Sequence, residues 1–211
     1  MTDTGQITQN QNHGIQVRPV TRYRIRNMKK LFAERIHSIP HVWVNQDDEA
    51  PVQTVAQYLS AWGVDAAPFK DWFEAIDTTG QRVGGLLVSP NIDNLARFCT
   101  EGINGVPPEP EWLGSYVTET FMIDDIVVSA DHEREGIGTV LFEHAAAEAH
   151  RRGARRLIAG TGSEEAAAFL AAQGMTVGEL GQPIPAEVNA GVPIGIQQNQ
   201  RGYARWAWKL L

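Results

Sequence analysis

Residues 126–138 hold the pattern most able to do chemistry. An apolar run, Ile126, Val127 and Val128, passes through SADHERE into Gly136-Ile137-Gly138 and then into an alanine-rich helical segment. A helix that starts directly out of a strand leaves its first backbone N–H groups without intrahelical acceptors, all aimed at one spot. Such a spot attracts an anion. Gly136 and Gly138 present no side chains, so a phosphate or pyrophosphate could rest directly on the amides. No Lys-Ser or Lys-Thr pair follows the glycines, which argues against an ATP-type phosphate loop. By sequence alone the segment suits a tight strand-to-helix turn as well as it suits an anion site.

Two carboxylate positions are candidate proton acceptors. Asp124 and Asp125 are adjacent in an extended run, so the two-residue period of a strand sends them to opposite faces, Asp124 with Ile126 and Val128. If that face lines a cleft, burial would raise the Asp124 carboxyl pKa and suit it to take a proton from an amine. Polar lining or sheet-edge solvation is the alternative. Glu74 is the second candidate base, and a satisfied surface carboxylate is its alternative reading.

Other chemistries find less support. His132 and Glu133 form an HE pair without the second histidine of a helical zinc motif, and no other His/Cys spacing suggests a metal. No G-x-S-x-G is present, and Cys99 lacks a histidine context, so covalent catalysis has no evident nucleophile. Trp206 and Trp208 alternate in a final strand and read as core or dimer packing in preference to a substrate platform, which leaves a homodimer open.

The elements that must position these residues follow from periodicity. Residues 1–14 are polar and Gln/Asn-rich and read as a flexible arm, and Ile15–Val20 as a short strand. Residues 22–37 carry Ile25, Met28, Phe32 and Ile36 at helical spacing. Arg22, Arg26, Lys29 and Lys30 lie on the opposite face, a solvated face or a basic patch. A second helix runs from Pro51 to Gly63, and Trp72–Asp77 with Gln81–Ser89 forms a hairpin around Gly80. Pro90–Pro110 reads as an irregular loop, and Tyr116–Ser129 as the long central strand. A helix carrying Val140, Leu141, His144, Ala145 and Ala149 ends at Gly153, and 154–160 is the next strand. Thr161 and Glu164 have the capping-box spacing for a helix that Gly174 stops. Met175–Leu180 and Gly202–Leu211 are the last strands. The order is mixed α+β, not repeated βαβ units.

Composition narrows the class. A chain of 211 residues, 43% hydrophobic and 20% charged, suits one globular domain over residues 15–211 behind the arm. A net charge of -7 with a pI near 5.4 argues against nucleic acid as a partner. One cysteine permits no intrachain disulfide. With neither a signal-peptide plan nor an apolar run long enough to cross a bilayer, a cytoplasmic protein without a membrane partner is expected.

Two segments, in order, resemble one family. Val128 through Glu133 to Gly136-Ile137-Gly138 resembles the acyl-CoA motif of the GCN5-related N-acetyltransferases (GNAT). Residues 161–175, TGSEEAAAFLAAQGM, resemble the family's closing helix and turn. With the preceding strand the likeness covers Tyr116 to Leu180. It implies a single-domain α+β fold, with a central, mostly antiparallel mixed sheet flanked by helices and splayed at the acyl-CoA-binding strand. It also implies acetyl-CoA as co-substrate and direct attack by a primary amine in a ternary complex.

By that resemblance, the amides of Arg134, Glu135, Gly136, Ile137, Gly138 and Thr139 would hold pyrophosphate. Ile126, Val127 and Val128 would meet the pantetheine arm and acyl carbonyl, and Ser163 and Phe169 would complete the cofactor contacts, with Asp124 and Glu74 as the catalytic candidates. Two departures stand out. Glu133 occupies a position where the family usually has glutamine or arginine, leaving Arg134 to restore charge. Leu170 follows Phe169 where many members offer a tyrosine to protonate the leaving thiolate. A small-molecule or protein amine would be the acceptor. The competing expectation is a non-catalytic acyl-CoA-binding or protein-interaction domain on the same scaffold.

Overall fold

The computed structural model describes residues 8–10, 14–35, 48–103, 105–185, 188 and 205–211. In chain order its elements are β1 (Thr8–Asn10), β2 (Ile15–Pro19), α1 (Ile25–Arg35), α2 (Glu49–Ala61), β3 (Asp71–Ile76), β4 (Arg82–Ser89) and α3 (Ile92–Glu101). There follow α4 (Pro110–Glu119), β5 (Thr120–Val128), α5 (Ile137–Arg151), β6 (Arg156–Thr161), α6 (Glu164–Ala172), β7 (Thr176–Val177) and β8 (Arg205–Leu210). The fold is mixed α and β, with mostly antiparallel strand pairing and flanking helices, as the sequence pattern implies. The chain divides into two compact units. One takes Met1–Gln46, Asp71–Val88 and Asp125–Glu148, the other Asp47–Lys70, Ser89–Asp124 and Ala149–Leu211.

In the first unit β1, β2, β3 and β4 pair antiparallel in that order. The β3–β4 hairpin turns at Asp77, whose Oδ1 accepts hydrogen bonds from Thr79 N–H, Thr79 Oγ1 and Gln81 N–H at 2.8–2.9 Å. Those bonds, the Thr79 hydroxyl first, hold the Asp77 carboxyl below the usual carboxylate range. Two glycines in β4 let helices approach both faces of the strand. A Cβ at Gly85 would collide with Met28 Cε and lie 2.6 Å from Phe32 Cε2, both on α1. A Cβ at Gly84 would lie 2.9 Å from the Val127 carbonyl oxygen and 3.2 Å from Ile137 and Leu141 of α5. Met28 and Phe32 thereby join Trp72, Leu87 and Val127 in one buried cluster, with Phe32 edge-on to Trp72 at 5.1 Å.

The second unit combines a helical cluster with a group of strands. Helices α2, α3 and α4 share a core of Val55, Leu59, Ile92, Leu95, Phe98, Leu113, Tyr116 and Val117. Strand β5 pairs parallel with β6, and β8 lies antiparallel to both β6 and β7. Trp206 is buried with Met122, Ile158, Ile184 and Val188, and Trp208 packs partly buried against them, which gives the tryptophan pair a core role.

Several expectations need correction. Thr8–Asn10, inside the stretch expected to be a flexible arm, pairs with β2, because backbone groups can extend a sheet edge whatever their side chains. Lys29 is buried although it falls on the face expected to be solvated. Residues 90–110 are not an irregular loop: α3 occupies about half of them, and its buried Ile92, Leu95 and Phe98 recur every three residues. Tyr116–Glu119 belong to α4, with Pro110 in its first turn, so the central strand starts only at Thr120. The strand expected over 175–180 shortens to Thr176–Val177. Ile36 and residues 202–204 lie outside the described residues. Among those described, no helix is long and apolar enough to cross a membrane.

Candidate functional site

The glycine turn lies wholly in the first unit. β5 ends as Ser129 N–H donates to the Val83 carbonyl at 2.9 Å, and a 3-10 turn, Ala130–His132, carries the chain away. Helix α5 begins at Ile137, and Val140 N–H closes on the Gly136 carbonyl at 3.1 Å. Arg134 and Gly136 both adopt left-handed backbone, φ 64° and 79°. Left-handed residues within a turn swing successive amides toward a common concavity, which is how backbone nests receive anions. Among the described residues, the amides of Arg134, Gly136, Ile137 and Gly138 have no backbone acceptor. The residues present therefore fit a pyrophosphate group.

The side chains around this turn are arranged by charge. Glu133 is ion-paired with Arg35, the last residue of α1, and His132 Nδ1 lies 3.0 Å from Glu135 Oε2. Arg134 makes no ion pair among the described residues. Ile137 is buried and anchors the helix start, and Thr139 is half-buried. Ile126 and Val128 are half-buried, whereas the Val127 side chain is committed to the core cluster, so Val127 could meet a ligand only through its backbone.

Glu74 is neither exposed nor available. Its side chain is 1% exposed, and its oxygens accept from Arg18 Nε at 3.0 Å, Arg24 Nη1 at 2.8 Å and Arg82 Nε at 2.9 Å. Three guanidiniums saturate the carboxylate, which ties β2, β3, β4 and the turn before α1 together. Glu74 is a structural anchor, neither an available base nor a surface carboxylate.

Asp124 and Asp125 fall on either side of the division between the units. Asp124 is 6% exposed and Asp125 half-buried. Within the second unit the Asp124 charge acts on Tyr116, a fully buried phenol whose pKa is pushed up to about 12, chiefly by burial. Polar contacts from Asn91 and Thr120 and the Arg156 guanidinium oppose that rise. Tyr116, expected at the start of a strand, gives no sign of this role in the sequence, since nothing in linear spacing ties it to Asp124.

Ser163 and Phe169 belong to the second unit. Ser163 is the N-cap of α6, its Oγ accepting Ala166 N–H at 3.1 Å. Thr161, expected to cap that helix, instead accepts Ser163 N–H at 3.2 Å. The capping position is thus two residues later than the sequence pattern suggests. Phe169 is half-buried and Leu170 is buried. Burial pushes the Cys99 thiol up to about 11, which keeps it protonated and poorly nucleophilic at neutral pH.

Comparison with solved structures shows the same fold. A GCN5-related N-acetyltransferase from Kribbella flavida matches with a TM-score of 0.52 and 16% identity, over 94% of this chain and 98% of that one. An acetyltransferase of the GNAT family from Desulfovibrio desulfuricans, described as putative, matches with a TM-score of 0.54 and 13% identity, over 93% and 98%. Mutant forms of the spermidine/spermine N-acetyltransferase SpeG from Vibrio cholerae match with a TM-score of 0.51 and 13% identity, over 93% and 94%. No curated protein sequence matches the chain. The family model for Acetyltransferase (GNAT) family matches residues 39–175, more than half of the sequence, and the chain belongs to that family.

Proposed function

We propose that this protein transfers an acetyl group from acetyl-CoA to a primary amine, by direct attack in a ternary complex. The observation that carries the reading is the turn at Arg134–Gly138, where four amides without backbone acceptors meet left-handed backbone at Arg134 and Gly136. Family membership supports the same class of chemistry.

Acetyl-CoA, when bound, supplies a thioester carbonyl open to amine attack. The turn amides would hold its pyrophosphate, and the backbone of Ile126–Val128 would meet the pantetheine arm. Asp124 takes the proton that the ammonium form of the acceptor must lose, through water. Leu170 offers no proton, so departure of the thiol relies on the low basicity of a thiolate. The acceptor is a small-molecule amine or an amine on a protein.

Calorimetric titration with acetyl-CoA, parent against Gly136→Glu, tests the site, and release of free CoA on adding an amine panel tests the reaction. Saturable binding lost in the folded variant, with amine-dependent release, is the expected result. Asp124→Asn should lower kcat with little change in the Kd for acetyl-CoA. Tight binding without turnover on any amine would replace the enzyme with an acyl-CoA-binding module, the reading favoured by Leu170. A folded parent that does not bind acetyl-CoA would overturn both.

A further inference from the structure

The turn carries a carboxylate where an anion is expected to sit, and the structure answers it with a residue far away in sequence. Glu133 is 52% exposed and the Arg35 guanidinium paired with it is 33% exposed. Both belong to the first unit, and the partners are 98 residues apart in the chain. We propose that Arg35 is a charge-compensating residue of the acyl-CoA site: by neutralising Glu133 it allows the turn amides to bind a pyrophosphate. The inference rests on the acyl-CoA reading of the turn.

Charge and placement support it. Glu133 and Glu135 flank a nest whose amides offer only partial positive charge. Arg35 pairs with Glu133 and His132 lies against Glu135, so each carboxylate beside the nest has its own partner, while the Arg134 guanidinium makes no ion pair among the described residues. As a fold element the pair adds little, because exposed ion pairs typically contribute little to stability. An unmatched carboxylate beside a doubly charged pyrophosphate is a larger disturbance, since that repulsion acts only when the ligand arrives. Arg35 also closes α1, where a cation complements the helix dipole, so it is compatible with its own element whether or not a ligand is bound.

The test is a double-mutant cycle read by calorimetry with acetyl-CoA at low ionic strength, with thermal melting to show that each variant is folded. Arg35→Gln should weaken acetyl-CoA binding about tenfold, a cost of about 1.4 kcal/mol. Glu133→Gln should leave affinity unchanged or tighter, and the double variant should return to within about threefold of the parent. Raising salt should shrink the Arg35→Gln effect. S-acetylpantetheine, which lacks the pyrophosphate, should show no dependence on either residue.

Parent binding with no loss in Arg35→Gln would overturn this inference alone. So would a double variant as weak as Arg35→Gln, since that would give Arg35 a role independent of Glu133. A folded parent with no affinity for acetyl-CoA would overturn the acyl-CoA reading together with it.

Discussion

The imidazole of His144 stands edge-on to the ring of Phe73, centroids 4.6 Å apart and planes at 65°. His144 is 6% exposed, and neither ring nitrogen has a hydrogen-bond partner among the described residues. Burial lowers its pKa, and Glu148 on the same helix only partly opposes that.

The sign of the resulting pH dependence is fixed. The unfolded chain protonates His144 near pH 6.5 while the folded chain holds it neutral, so stability is full above that pH and falls as pH drops toward the depressed folded value. The slope reaches up to about 1.4 kcal/mol per pH unit for this one group. His144→Leu should remove that component, and urea unfolding of parent and variant at about pH 7 and about pH 5 measures it. Equal losses in the two proteins would exclude His144 as the source.

Glu74 offers a second stability test with a built-in check on catalysis. Removing one partner from a buried charge cluster strands the rest, so Glu74→Ala should cost roughly 3–5 kcal/mol. Glu74→Gln keeps the volume but leaves Arg18, Arg24 and Arg82 around a neutral amide, and should also lower Tm. If Glu74 is an anchor, the turnover of the protein that remains folded stays within about twofold of the parent. A loss of kcat without a loss of Tm would return it to the catalytic set.

These two residues show what the linear sequence could and could not convey. The hairpin, the glycine turn and the helix after it were legible, because each rests on local rules: alternation, permissive backbone and 3.6-residue spacing. Ser89, Asn91 and Pro110 sit where α3 and α4 begin, but the segment around them is rich in proline and glycine and reads locally as a loop. For the site, Gly136 and Asp124 could be nominated from type and position alone. The environments of Glu74 and Glu133 could not, since Arg18, Arg24, Arg35 and Arg82 reach them from other parts of the chain.

Gly85 separates backbone freedom from space. Its neighbours Met28 and Phe32 leave no room for a methyl group, since an added Cβ would collide with Met28 Cε and lie 2.6 Å from Phe32 Cε2. Gly85→Ala should therefore cost about 1–3 kcal/mol by overpacking, although strand backbone tolerates alanine. The companion variant Gly85→Ala with Met28→Ala should recover part of that loss if the clash is with the Met28 side chain. A single variant as stable as the parent would show that α1 yields without cost.

Arg134 makes the opposite case, in which the backbone and not the space is the constraint. A non-glycine residue at φ 64° typically bears roughly 1 kcal/mol of steric cost that glycine escapes. Arg134→Gly should thus stabilise the fold by up to about 1 kcal/mol, less the extra entropy of the unfolded chain. Arg134→Val, β-branched in a left-handed position, should destabilise it by more than that. Both variants remove the same guanidinium, so any shared weakening of acetyl-CoA binding reports charge, and the difference between them reports the geometry of the amide nest. Differential scanning calorimetry with and without acetyl-CoA gives both quantities, and a glycine variant less stable than the valine one would show that the turn does not impose this backbone in solution.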